Sequence, residues 1–490
     1  MQQSLDTRQR GRLSRWLGAH LETPPRALLF YFAVMLQLLA SSLSGIGFLL
    51  DSPAYFFGGT AVWVLWFVTM FMMTIPATDR IVAGSLNFVR RAAGIVFGVF
   101  FVVGILEILA MTVVYPIVSD EEKTGDFGEI MQGLNRVFVY NDGTALVQQA
   151  SENLLEGKNP YNNANIITAL LEFDGAYDRV TPLRVGRFTD VFPYPTPRQL
   201  EEIWDEAILT PSEPPEEIES RVCYPAGSFV LPAPFLAMGI DDIRIVYGIL
   251  VLAGLVFAAW WLPGKRRLVF IGAMLISLEM WNGIGAGETS ILGFPLLLVA
   301  WLTLGRKWWV SAIFMGIAVS TKQTAWFVVP FYLILFLHTH EQRKVAVGLG
   351  IMVGVFAAFN LPFVIADPVA WVSSVASPMT DPMFPIGVGI VTMVTTGVVN
   401  LQSSLLFTIL ELLAIIAGCI WYYRNCRRYP HSGLILAVLP LFFAWRSLWT
   451  YFFYLGSIAM VAVLADAETA ARFKKGSARA GTSDGSRPPP

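Results

Sequence analysis

The sequence predicts an all-α polytopic membrane protein with about 12 transmembrane helices and one long extracytoplasmic loop carrying short helices. Three observations lead there. Of its 490 residues, 55% are hydrophobic and only 14% charged, where a soluble domain carries about 25% charged residues. Apolar runs near the ~20 residues that a helix needs to cross a bilayer recur along most of the chain. The basic residues between those runs all fall on one side when the runs are threaded back and forth.

In order, the spans read as 27–50, 55–76, 92–117, 243–263, 268–284, 289–304, 308–320, 324–338, 344–365, 403–423, 432–447 and 449–465. The basic start MQQSLDTRQRGRLSRW precedes a run too long for a signal h-region, so the first span is expected to be retained. Two further apolar stretches, 224–240 and 384–401, are rich in Pro or Gly and read as re-entrant or interfacial pieces, a form tolerated where protein or a watery cavity satisfies the backbone. Cytoplasmic loops are enriched in Lys and Arg. Arg8 to Arg15, Arg90-Arg91, Lys265-Arg266-Arg267, Arg306-Lys307, Arg343-Lys344 and Arg427-Arg428 satisfy that rule together only with both termini inside.

The chain then divides into a cytoplasmic tail (1–26), three spans (27–117), an extracytoplasmic loop (118–242), the remaining spans (243–466) and a Gly-, Ser- and Pro-rich tail (467–490) expected to be disordered. The loop carries 22 acidic and 8 basic residues, and its segment SEPPEEIES (212–220) reads as a solvated surface. Three cysteines, spread over loop, membrane and basic loop, form neither a disulfide framework nor a metal cluster. All four histidines, His20, His338, His340 and His431, fall inside in this topology. An enzyme working outside would therefore need a carboxylate as its base.

Three acids, Glu107, Glu279 and Glu411, lie within spans, each toward the outer half, where a buried ionisable group marks either function or a hydrogen-bonded helix contact. Lys322, in STKQTAWF, and Arg446, in AWRSLWTYF, stand at outer turns against the positive-inside trend. Cations placed there suit a phosphate, Lys as a point charge and Arg as a fork; the alternative is that they snorkel or pair with an acid. In GIGAGETS (283–290), glycines lead into Glu288 and permit a tight turn or close backbone approach.

These pieces together resemble a known family. YNDGTALVQQASENLLEGKNPY (140–161) has an acid before a short helix, 143–156, that ends in Leu-Leu-x-Gly-x-x-Pro-Tyr. It resembles the first periplasmic loop of polyprenyl-phosphate-sugar-dependent glycosyltransferases of the GT-C superfamily, glycosyltransferase family 87 above all. CYPAGSFVLPAPFLAMG (223–239) resembles that family's Tyr-Pro-Pro motif, with Ala226 in place of the second proline. GETSILGFPLLLVAWLTLGRKWWVSAIFMGIAVSTKQTAWFVVPF (287–331) resembles its Gly-Gln block and Lys-bearing helix pair, with Glu288 in place of Gln. Two further departures are the three spans before the loop and an insertion, 162–222, with no counterpart.

The resemblance implies a GT-C-like fold and an inverting transfer of a sugar, mannose by default, to an envelope glycan or glycolipid at the outer face of the plasma membrane. The donor would be a polyprenyl-phosphate sugar, so neither a nucleotide nor a nucleic acid is a partner, and membrane lipids are. No cofactor is implied, although a divalent metal stays open. Asp142 falls near the family's acid position relative to Gly157 and is the expected base, unless it only caps the helix. Asp120 and Glu121, directly after the third span, are alternatives, with Asp190 behind them. Lys322 and Arg446 would hold the donor phosphate, with Glu288, Glu279 and Tyr161 lining the cavity or acceptor side. A transporter or lipid flippase remains the competing class, against which stands the lack of two matching halves.

Overall fold

A computed structural model describes residues 24–50, 52–114, 139–262 and 264–480. Asp120 and Glu121 lie outside the described residues. Among these, seven helices are long and apolar enough to cross a membrane, or eight if one pair bent by 54° counts as a single span. The protein is thus a multi-pass membrane protein, helical throughout apart from one two-stranded sheet and isolated bridges among the described residues.

The long helices before the loop are α1 (Leu29–Leu49), α2 (Pro53–Thr74) and α3 (Leu86–Leu109). The loop region carries α4 (Asp142–Leu155), α5 (Ile166–Leu171) and α6 (Pro197–Ala207). After it come α7 (Ile243–Trp261), the bent pair α8 (Gly264–Leu275) and α9 (Leu278–Gly285), then α10 (Ser290–Thr303), α11 (Trp308–Val319) and α12 (Val329–Thr339). The last five are α13 (Gln342–Ala366), α14 (Pro368–Thr380), α15 (Leu405–Asn425), α16 (Ser432–Val438) and α17 (Phe453–Ala480).

Four of the twelve expected spans, 289–304, 308–320, 324–338 and 432–447, fold as apolar helices too short to cross on their own. At about 1.5 Å per residue, the 14 residues of α10 cover roughly 21 Å of a ~30 Å hydrocarbon core. Of these, α10 is buried along nearly its whole length against α7, α11 and α17. The stretch 224–240 forms two short helices, Gly227–Val230 and Ala233–Ala237. The stretch 384–401 forms β1 (Ile386–Gly387) and a single helical turn at Thr392–Thr395. At the far end, α17 continues past Ala467 to Ala480, where a disordered tail is expected; this segment holds several of the strongest helix formers, Ala, Glu, Lys and Arg.

The loop is tied to the bundle by its helix ends. Asn141, not Asp142, caps α4: its side chain accepts the Thr144 amide at 2.8 Å. Asp142 is the first helical residue, and the capping alternative for it is set aside. Gly157, at φ +75°, takes the left-handed conformation that ends α4. Its amide bonds Leu154 O and the next amide, Lys158, bonds Asn153 O, which is the Schellman arrangement. Just upstream, Tyr140 donates to Asp242 at 2.5 Å, and Arg244 lies over its ring at 4.4 Å while gripping Asp242 at 2.7 Å. The start of α4 is thereby pinned to the start of α7.

Candidate active site

Where α4 begins, the chain encloses a cavity of about 900 Å³. Asp142, Glu288, Lys322 and Arg446 all line it. They arrive from four separate places: the first turn of α4, the turn before α10, the turn after α11, and β2 (Arg446–Ser447), which pairs in parallel with β1.

Asp142 is oriented from two sides. Its Oδ1 accepts the Gly143 amide at 2.6 Å and its Oδ2 accepts the hydroxyl of Thr181 at 2.5 Å. A carboxylate at this position also sits at the positive end of the helix dipole. The turn GIGAGETS docks against the same helix start, with the Asn141 amide on Ala286 O and the Asn141 side chain on Gly287 O. Gly287 is at φ +69°, and a Cβ there would lie 2.7 Å from Thr144 Cγ2. Only glycine lets that turn close and bring Glu288 to the cavity.

Lys322 is 7% exposed. Its ammonium donates to Thr289 Oγ1 at 2.6 Å, stands 4.0 Å from Glu288 Oε2, and lies over the rings of Tyr224 and Tyr451 at 5.1 and 5.5 Å. Burial lowers its basicity, while the charges of Glu288 and Asp142 hold the ammonium form against that pull. Arg446 is different: its Nη1 is buried and has no hydrogen-bond partner in the protein. A buried guanidinium nitrogen without an acceptor is costly, and an anion in the cavity would relieve it.

Part of the remaining wall is apolar: Trp326, Phe327, Pro330, Leu412 and Ile415 all line the cavity. Thr408, Glu411, Leu412 and Ile415 recur at helical spacing, so one face of α15 looks into it. Glu411, the acid expected within a span, is on that face. The cavity is therefore lined by both charged and apolar side chains.

Other expected site residues lie elsewhere. Glu279 lines a separate pocket of about 20 Å³ between α1 and α9, beside Gln37 and Ser277. Tyr161 is buried and donates its hydroxyl to Tyr224 O at 2.9 Å, wedged edge-on against Phe229 and Phe363; it supports the wall without lining it. Asp190 is exposed and away from the cavity.

The segment 212–220 is solvated only in part: Ser212, Glu213 and Glu216 are exposed, whereas residues 217–219 are buried. Glu217 and Glu219 are 8% and 5% exposed, because Glu217 accepts the Arg187 amide at 2.9 Å and Glu219 the Arg221 amide at 2.9 Å. Burial, with contact to Asp381, raises the Glu219 carboxyl to about 8. Thr181, Glu219 and the tyrosines around Lys322 carry no local sequence signal for these roles. Only the Tyr-Pro motif at 224–225 marks one of them.

Residues 223–443 match the family model of glycosyltransferase family 87. The match, over 221 of the 490 residues, agrees with the family resemblance read from the sequence, and that family implies a membrane glycosyltransferase. No curated protein and no solved structure matches the chain. The family-87 stretch supplies Tyr224, Glu288, Lys322 and the apolar wall, whereas Asp142 precedes it and Arg446 follows it.

Proposed function

We propose that the protein transfers a sugar, mannose by default, from a polyprenyl-phosphate donor to a hydroxyl of an envelope glycan or glycolipid. The observation that carries this reading is the mixed lining of the cavity. It joins a carboxylate, Asp142, and the cations Lys322 and Arg446 to apolar side chains suited to a polyprenyl chain. The site would face outward in a plasma membrane, with both chain termini in the cytoplasm.

In the reaction, Asp142 Oδ takes the proton of the acceptor hydroxyl as that oxygen forms a bond to the anomeric carbon. The bond from that carbon to the phosphate oxygen breaks, and its electron pair leaves with the polyprenyl phosphate. Attack opposite the leaving group inverts the anomeric centre. Charge growing on the phosphate meets Arg446 Nη1 and the Lys322 ammonium, which stand in place before it develops. Glu288 and Thr289 keep the ammonium aimed.

The test is transfer by the purified protein from radiolabelled polyprenyl-phosphate mannose to membrane lipid acceptors, with Asp142→Asn alongside. Label should move to the acceptor only with the wild type. Failure with every polyprenyl-phosphate sugar would remove the donor class. Full transfer by Asp142→Asn would remove Asp142 as base.

A further inference from the structure

One wall of the cavity is a strap of three short segments. Residues 217–219 and 382–384 bracket 181–184, through isolated antiparallel bridges at Pro182–Ile218 and Leu183–Met383. The bonds are Leu183 N to Glu217 O at 2.7 Å, Glu219 N to Thr181 O at 2.9 Å and Arg184 N to Pro382 O at 2.8 Å. The chain then runs directly into β1, where Ile386 N bonds Trp445 O and Val388 N bonds Ser447 O, on either side of Arg446. One end of the strap thus carries Thr181, which holds Asp142, and the other end frames Arg446.

Across this strap the carboxyls of Glu219 and Asp381 converge on Arg221. Glu219 Oε2 and Asp381 Oδ2 are both buried, and neither has a donor from the protein. Their other oxygens are served by Arg221, whose amide bonds Glu219 Oε1 at 2.9 Å and whose Nη1 lies 3.6 Å from Asp381 Oδ1. Two acceptor-only oxygens cannot bond one another unless a proton lies between them. Both atoms are closed to a ligand in the cavity, so a proton is the species that fits.

We infer that Glu219 and Asp381 share one proton and form a pH-operated clasp that holds the strap across the cavity. Arg221 stands beside Asp381, and Glu219 holds the proton. The groups facing Glu219 are Asp381, Arg221 and Cys223, and only Arg221 favours its ionised form. In alkaline solution the proton leaves, two carboxylates face each other without a donor, and the strap opens. Opening would release Thr181 and the frame of Arg446 together. The clasp does not depend on the proposed reaction.

Hydrogen exchange of the full-length protein in nanodiscs tests this, from pH 6 to 10 and corrected for intrinsic rates. Protection of the Leu183, Arg184, Ile386 and Val388 amides should fall at least tenfold between pH 7 and 10, while amides within α15 hold theirs. In Glu219→Gln the side-chain amide supplies the missing donor at every pH, so protection should stay flat. Asp381→Asn, with the donor on the opposite partner, should behave the same way and covers the case of one variant misfolding. Flat protection in the wild type, or an equal fall in both variants, would overturn the clasp. Protection at pH 9 that needs added Mn²⁺ and vanishes with EDTA would replace it with a metal bridge.

Discussion

Gly143→Ala places one methyl group between the acid and the ammonium, and its consequence can be worked from distances. A Cβ on Gly143 would lie 2.5 Å from the Tyr224 hydroxyl oxygen, with the nearest ring carbons at 3.4 Å. Ordinary contact begins near 3.4 Å, so one side must retreat by about 0.9 Å. Tyr224 cannot easily retreat: its carbonyl receives the Tyr161 hydroxyl, and Lys322 lies over its ring. The start of α4 is held as well, by Asn141 on Ala286 and Gly287. The shift therefore falls on Asp142, one residue away, or on Lys322 through the tyrosine.

A displacement near 1 Å at a reacting group can cost about 100-fold in rate, so kcat/KM for sugar transfer should drop about 30- to 100-fold. Stability should change less. Overpacking costs about 1–3 kcal/mol, and replacing a helical glycine with alanine returns about 0.5–1 kcal/mol. The decisive variant is Gly143→Ala with Tyr224→Phe. Without the hydroxyl, the new methyl meets only the ring carbons at 3.4 Å, and the pair should recover at least tenfold over Gly143→Ala alone. Tyr224→Phe alone removes only the hydroxyl and serves as the control for the pair. The assay is transfer from labelled polyprenyl-phosphate mannose, with thermal unfolding followed in parallel across the double-mutant cycle. Wild-type activity in Gly143→Ala, or no recovery in the double variant, would refute the steric coupling.

Other expectations follow from the same geometry. Arg446→Ala should raise the donor KM at least tenfold, and Arg446→Lys should restore only part of it, since a point charge replaces a fork; initial rates against donor concentration decide. Asn141→Ala should destabilise the protein by about 0.5–2 kcal/mol through loss of the α4 cap, read as a lower unfolding temperature. Thr181→Val removes the hydroxyl from Asp142 and should lower kcat while Thr181→Ser retains it. For Glu219, the folded carboxyl is raised above its unfolded value. Its contribution is thus full below the usual carboxylate range and lost as pH rises through about 8, at most about 1.4 kcal/mol per pH unit. Denaturant titrations of wild type and Glu219→Gln should diverge in that window.

Sequence patterns carried the helical membrane class, the loop helix and its glycine stop, because hydropathy and a left-handed glycine are local properties. They misplaced the cap by one residue, since Asn141 and Asp142 are equally good caps by type and only the Thr144 contact separates them. They counted α10, α11, α12 and α16 as spans, because an apolar run buried in protein looks the same as one facing lipid. They also read Glu217 and Glu219 as solvated, because Asp381, which shares Arg221 with Glu219, lies far along the chain, beyond α14. Local pattern reports what a residue prefers and not what folds against it.

The insertion 162–222 shows why that distinction matters for function. It has no counterpart in the family motifs and lies outside the family-87 stretch, so by sequence it is an appendage. In the fold it supplies Thr181, Arg184, Glu219 and Arg221 to the cavity. Of these, Thr181 touches Asp142 directly and Glu219 bears on the strap that frames Arg446. The family-87 stretch alone would leave Lys322 and Glu288 facing an incomplete pocket, without the candidate base or the second cation. Whatever distinguishes this protein's acceptor or its pH response is therefore expected in the insertion, where the cavity wall is its own. Exchanging 162–222 for a short Gly-Ser linker should abolish transfer while leaving the helices from α7 onward folded.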